Sequence, residues 1–241
     1  MSRKFNAILG LGALAAFGFA SSAFAQCPTG PVPPWSSQSA LGGTVAISAG
    51  GFDGTSCKMD ATLTQNLPGI NAFVRDNTPA TEPRYRAQFI INVDTLTGIN
   101  SIQSVKVFGA TTETAYLAIT DIVRMSVTGN VAGTQKILGV FTVCEGAAGN
   151  ISSASVPLLA GPNVVEFDWQ NGAAGTLDIW VNNPTEGTPT QSLACDSEGW
   201  AGVDFSTLGL AAPSPGFRAN QLNRTVSLDE FDSRRTSFIG N

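Results

Sequence analysis

The stretch RYRAQFIINV, Arg84 to Val93, places Tyr85, Ala87, Phe89, Ile91 and Val93 on one face and Arg84, Arg86, Gln88 and Asn92 on the other. That period of two predicts a half-buried β-strand. SVKVFGA and RMSVTG repeat the pattern, and KILGVFTV is a more continuous apolar run. NVVEFDW and TLDIWVN flank QNGAAG and read as a hairpin. Thr111 to Val123, TTETAYLAITDIV, offers helical spacing at Tyr116, Ile119 and Val123, with Thr112 as a cap. Its β-branched content and its neighbours favour strand. Many short strands with Gly, Asn, Asp and Pro between them, and almost no helix, predict an all-β, two-sheet antiparallel β-sandwich or jelly roll.

The last strand, VSLDEFDSRR, breaks the pattern. Leu228 and Phe231 are an odd number apart, so a regular strand would turn them to opposite faces. The strand thus carries apolar groups toward both faces among three acids and two arginines. Whether the tail TSFIGN packs as a further edge or hangs free is left open.

The N-terminus reads differently. Arg3 and Lys4 precede an apolar run from Ala7 to Ala20, and Ala23 and Ala25 suit cleavage before Gln26. Residues 1–25 are expected to be a secretory signal peptide, with no membrane insertion after cleavage and a periplasmic or extracellular destination. Residues 26–56, rich in Pro, Gly and Ser, read as an extended lead-in packed on the domain, and residues 57–241 as a single sandwich domain. Without residues 1–25, which hold two of the 13 basic residues and none of the 18 acids, the formal charge moves from −5 to −7. An acidic surface argues against a nucleic-acid partner.

Four cysteines in an exported chain imply two disulfides, with three possible pairings. Cys27–Cys57 and Cys144–Cys195 close the shortest loops and are preferred; a metal cluster lacks ligand spacing.

VVEFDW, GTLDIWVNN and VSLDEFDSRR together resemble the second half of concanavalin A-like, laminin-G-like domains over about residues 160–235. The resemblance implies a jelly roll whose curved face binds sugars or protein ligands, and a closing strand inside a sheet, with Leu228 and Phe231 both covered and Asp229 and Glu230 paired with Arg84, Arg86, Arg234 or Arg235.

Candidate chemistry is sparse. With no histidine, imidazole-dependent triads and zinc sites are excluded. Glu166 and Asp168 lie two apart and resemble the start of the catalytic signature of laminarinase-type glycosidases. Gln170 and Asn171 stand where the proton donor belongs, and amides cannot donate that proton. The plainer reading is two solvated acids. Trp180 falls on the polar face of its strand with Asp178, beside Glu166 and Asp168, a pattern suited to stacking and hydrogen bonding with sugar. The alternative is a core tryptophan, as expected for Trp169. Trp200 is a second candidate, on the loop after Cys195. Asp53, Asp60, Asp196 and Glu198 are oxygen donors expected on loops, but their spacing fits no calcium motif, so no cofactor is expected beyond a weak calcium possibility. These residues point to a non-enzymatic binding module for glycan or a cell-surface polymer. The alternatives are an adhesive or self-assembling protein with a protein partner, and a diverged glycosidase.

Overall fold

A computed structural model describes residue 27 and residues 35–116, 119–145, 150–234 and 237–240. The predicted signal peptide, residues 1–25, lies outside the described residues. In chain order the strands are β1 (Ser37–Ser39), β2 (Gly43–Ala49), β3 (Cys57–Leu63), β4 (Ala72–Asp76), β5 (Arg84–Asn92), β6 (Ser104–Tyr116) and β7 (Ile119–Gly129). They continue as β8 (Lys136–Val143), β9 (Ile151–Pro157), β10 (Asn163–Gln170), β11 (Thr176–Val181), β12 (Gln191–Ala194), β13 (Phe205–Ala211) and β14 (Thr225–Arg234). One short helix, α1 (Pro215–Asn220), precedes β14; the Ser214 side chain caps it by accepting from the Phe217 amide.

The strands form two antiparallel seven-stranded sheets. The first runs β1-β4-β13-β6-β7-β8-β9 and the second β12-β11-β10-β5-β14-β3-β2. Thr111 to Val123 is strand rather than helix, divided between β6 and β7. β1 and β2 join opposite sheets, so the stretch read as a lead-in contributes a strand to each. Asp60, expected on a loop, lies within β3.

The inner faces meet in one apolar core. Tyr85, Ala87, Phe89 and Ile91 of β5 point inward as their alternation predicts, with Phe167 and Trp169 of β10 beside them. Phe108 of β6 crosses from the first sheet, stacked on Phe89 at 5.5 Å and tilted against Phe167 at 5.0 Å. Such a ring buries its full surface, and its loss would cost about 3–5 kcal/mol. The other face of β5 is not half-exposed as expected: Arg86 and Gln88 are buried too.

A β-bulge resolves the awkward parity of the closing strand. β14 runs in register with β5 at Leu228 and Asp229, then resumes at Asp232 opposite Gln88, so Glu230 and Phe231 together oppose Phe89. The extra residue returns Phe231 to the inner side with Leu228, where it packs on Trp35 at 4.8 Å. Glu230 takes the left-handed conformation at φ 48°. Among the described residues neither Asp229 nor Glu230 takes the expected arginine, Arg234 pairing with Asp232, and Arg235 lies outside them. Asp229 instead accepts from the Phe52 amide at 2.6 Å and the Thr55 hydroxyl at 2.6 Å, which tie the end of β14 to the loop before β3.

The disulfides are Cys27–Cys57 and Cys144–Cys195, closing loops of 30 and 51 residues. Two such bonds suit an oxidising compartment. No helix among the described residues is long and apolar enough to cross a membrane.

Candidate functional site

The residues singled out in the sequence gather on the outer face of the second sheet, where they are covered rather than open. β10 and β11 pair Glu166 with Trp180 and Asp168 with Asp178. Trp180 is only 4% exposed, and its indole N–H donates to the Thr185 and Glu186 carbonyls. Phe238 packs against it with centroids 5.5 Å apart. Glu166 and Asp168 are buried, not solvated. Arg86 Nε donates to Glu166 Oε1 at 2.6 Å, and Arg84 holds Asp168 through two hydrogen bonds. The bond to Asp168 holds the Arg84 pKa above its ordinary value, against the opposing effect of desolvation. Buried carboxylates persist only when paired in this way, which is why these strands carry arginines on their outer face. Asp178, half-buried, accepts from the Ser192 hydroxyl.

Trp200 lies away from this group. It is 2% exposed and donates to the Val143 carbonyl at 2.8 Å, next to the Cys144–Cys195 bridge. Asp60 is engaged by the Ser48 and Ser227 hydroxyls, and Asp196 accepts from the Glu198 amide. Among the described residues no three acids or cysteines come together as metal ligands. A cleft of about 490 Å³ opens between Trp35, Leu228 and Phe231 at the edge of the sandwich, but among the described residues no orphaned polar atom lines it.

The outer face of the first sheet is different, and the sequence reading passed over it. One cross-strand row runs through all seven strands: Ser37, Arg75, Thr207, Gly109, Arg124, Phe141 and Ser153. Two bulges enrich it. β6 bulges at Val107, which is buried together with Phe108, so both Lys106 and Gly109 face outward. β7 does the same at Ile122 and Val123, which turns Asp121 and Arg124 outward. Polar–apolar–apolar–polar quartets, KVFG and DIVR, are the sequence mark of such bulges.

Lys106 Nζ lies 3.1 Å from both oxygens of Asp121, whose Oδ1 also accepts from the Thr111 hydroxyl. Gly109 forms the floor beneath: a Cβ there would lie 2.9 Å from Lys106 Nζ and 3.2 Å from Thr207 Oγ1. Arg124 stacks on the Phe141 ring at 5.0 Å, makes no ion pair among the described residues, and keeps a buried Nε without a partner. The Thr207 and Ser126 hydroxyls, on residues each 8% exposed, are likewise unpartnered. Arg75 covers the Phe205 ring at 3.5 Å. Each buried polar atom left unsatisfied costs about 1–3 kcal/mol, and three of the eleven such atoms among the described residues lie on this face.

Seen beside solved structures, this architecture is shared with carbohydrate-active proteins. The alginate lyase Aly36B matches over 80% of this chain and 85% of its own, at TM-score 0.57 and 14% identity. A doubly substituted form of that lyase in complex with alginate trisaccharide matches over 87% of this chain and 95% of its own, at TM-score 0.57 and 12% identity. A carbohydrate esterase from the Shiga toxin-encoding bacteriophage phi24B covers 83% of this chain and 90% of its own, at TM-score 0.53 and 11% identity. No protein-family model matches the sequence, and no curated protein sequence matches it.

At these identities the likeness establishes the fold. It also corrects the expectation of a non-enzymatic module. Enzymes occupy this fold at nearly full length, so the sandwich is no argument against catalysis.

Proposed function

We propose that this protein is a carbohydrate-active enzyme that takes a carboxylated polysaccharide along the outer face of the first sheet and cleaves it by β-elimination. The observation that carries this reading is Arg124: a guanidinium on an aromatic ring, without an ion pair among the described residues, opposite Gly109 with Lys106 and Thr207 packed over that glycine. A guanidinium is the natural partner of a uronate carboxylate, and neutralising that carboxylate acidifies the proton alpha to it.

Elimination requires no nucleophile, which suits a chain without histidine. In this reading the Asp121 carboxylate takes the alpha proton. The released electron pair forms the carbon–carbon double bond as the glycosidic carbon–oxygen bond breaks, and the Lys106 ammonium protonates the leaving oxygen. Lys106 then carries one proton fewer and Asp121 one more. Their 3.1 Å contact lets that proton pass back and reset the pair. The likeness to alginate lyases supports the substrate class, and the two disulfides support action outside the cytoplasm, in keeping with residues 1–25 as an export signal.

The test is incubation with alginate, pectate and glucuronan while following the ultraviolet absorbance of unsaturated uronate ends. Product formation lost in Arg124→Ala, Lys106→Ala and Asp121→Asn, each still folded, supports the reading. No unsaturated product from any of the three polymers overturns elimination.

A further inference from the structure

The outer face of the second sheet is closed by the chain's own tail, and the fit is incomplete in a specific way. Ile239 N donates to Glu166 Oε1 at 2.9 Å and Gly240 N to Glu166 Oε2 at 3.0 Å. Gly240 adopts φ 76°, a conformation that suits glycine. The Phe238 ring lies against Trp180 and 4.6 Å from the Arg86 guanidinium. Two polar atoms under this cover stay unsatisfied among the described residues. Arg86, 1% exposed, has an Nη2 without an acceptor, and Gln88, 8% exposed, has an Oε1 without a donor. Both residues lie on the same face of β5, opposite Asp168 and Glu166.

We propose that residues 237–240 occupy a second carbohydrate site, one built for a neutral pyranose, and that the tail stands in for the sugar. Two neighbouring hydroxyls donate to the two oxygens of one carboxylate as the consecutive peptide N–H groups do here. The apolar face of a sugar ring replaces Phe238 against Trp180. Residues 237–240 leave Gln88 Oε1 and Arg86 Nη2 unpartnered, and the hydroxyls of a sugar, each both donor and acceptor, suit the two. The charge of the face separates a neutral sugar from an acidic one. Glu166, Asp168, Asp178 and Glu186 outnumber Arg84 and Arg86, so a polyanion is repelled here while the first sheet attracts it. The inference does not depend on the elimination reading.

The experiment compares the full chain with two tail-release variants, Phe238→Ser and Gly240→Val, against cellohexaose, laminarihexaose, mannohexaose and xylohexaose. Binding is read by calorimetry and tryptophan fluorescence, and folding by circular dichroism. The expected result is at least one hexaose bound about tenfold or more tightly by both variants than by the parent. That binding is lost when Gln88→Leu is added, and it is competed by a synthetic peptide of residues 236–241. Equal binding by parent and variants, or no hexaose bound by either folded variant, overturns the proposal. So does capture of the free peptide by the variants without any sugar, which makes the face a peptide groove.

Discussion

Replacing Arg86 by Met tests whether the charges under the tail form one interdependent unit. Arg86 is 1% exposed and serves Glu166 at 2.6 Å, Glu186 at 3.1 Å and Asp168 at 3.5 Å. Removing one member of a buried pair costs about 3–5 kcal/mol, because the other charge is left in a medium that solvates it poorly. Here the loss falls toward the lower end. Asp168 keeps Arg84, and Glu166 keeps the Ile239 and Gly240 amides. We expect a loss of about 3 kcal/mol at neutral pH, read by urea unfolding. In a chain of this size that is a Tm lowered by about 6–12 °C. The double variant Arg86→Met/Glu166→Leu supplies the control: it removes both charges and recovers most of the stability. A deficit below about 1 kcal/mol, or a double variant no more stable than the single one, would show that water reaches these groups and that the tail does not seal them.

Four further outcomes are expected. Gly109→Ala puts a methyl against Lys106 and Thr207 and is expected to leave the melting temperature near the parent's while sharply reducing polyuronate cleavage; unchanged rates would remove Gly109 from the site. Glu230 sits at φ 48°, and its pKa is raised by desolvation and then by Asp229, Asp53 and Asp232. Glu230→Gly is therefore expected to stabilise by about 1 kcal/mol at neutral pH, with a smaller gain in acid, where the parent's carboxyl has taken up its proton. Asp204 is pushed up by desolvation but held below its ordinary value by the Glu113 and Thr81 amides and the Thr112 and Thr81 hydroxyls. Its stabilisation is complete above the ordinary carboxylate range and lost as pH falls through the lowered folded value, so Asp204→Asn is expected to cost about 1–2 kcal/mol at neutral pH and flatten the acid unfolding limb. Cys144→Ala/Cys195→Ala opens a 51-residue loop and is expected to lower unfolding free energy by about 4 kcal/mol in urea.

The sandwich was legible because burial on one face writes a period of two into β5, β6, β7 and β10. The cysteine pairing was legible because the shortest loops are also those the fold brings together. Strands at the edges or with small residues, such as β9 with Ser152, Ser153 and Ser155, carry little apolar signal and escaped notice. Bulges misled the reading most. At Glu230–Phe231 a strict alternation assigns Phe231 to the wrong face, and at Val107 and Ile122 it hides the outward turn of Gly109 and Arg124. Trp180 was placed correctly on the polar face of β11, but nothing local to that strand encodes its cover, which comes from Phe238 near the other end of the sequence.

The two outer faces respond oppositely to the same problem of charge on a sheet surface. On the second sheet, Arg84 and Arg86 spend their donors on Glu166 and Asp168, and the tail excludes water from the result. On the first sheet Lys106 pairs with Asp121 and Arg75 with Glu113, and Arg124 makes no ion pair among the described residues. Each face keeps buried polar atoms without a partner among the described residues: Arg86 Nη2 and Gln88 Oε1 on the second sheet, Arg124 Nε, Ser126 Oγ and Thr207 Oγ1 on the first. What separates them is that Arg84 and Arg86 of the second face are ion-paired, whereas Arg124 of the first is not. On that difference rests the proposal of elimination at the first sheet, and Arg124→Ala is its most informative substitution. It is expected to abolish polyuronate cleavage while leaving the fold intact, because the side chain it removes makes no hydrogen bond or ion pair among the described residues.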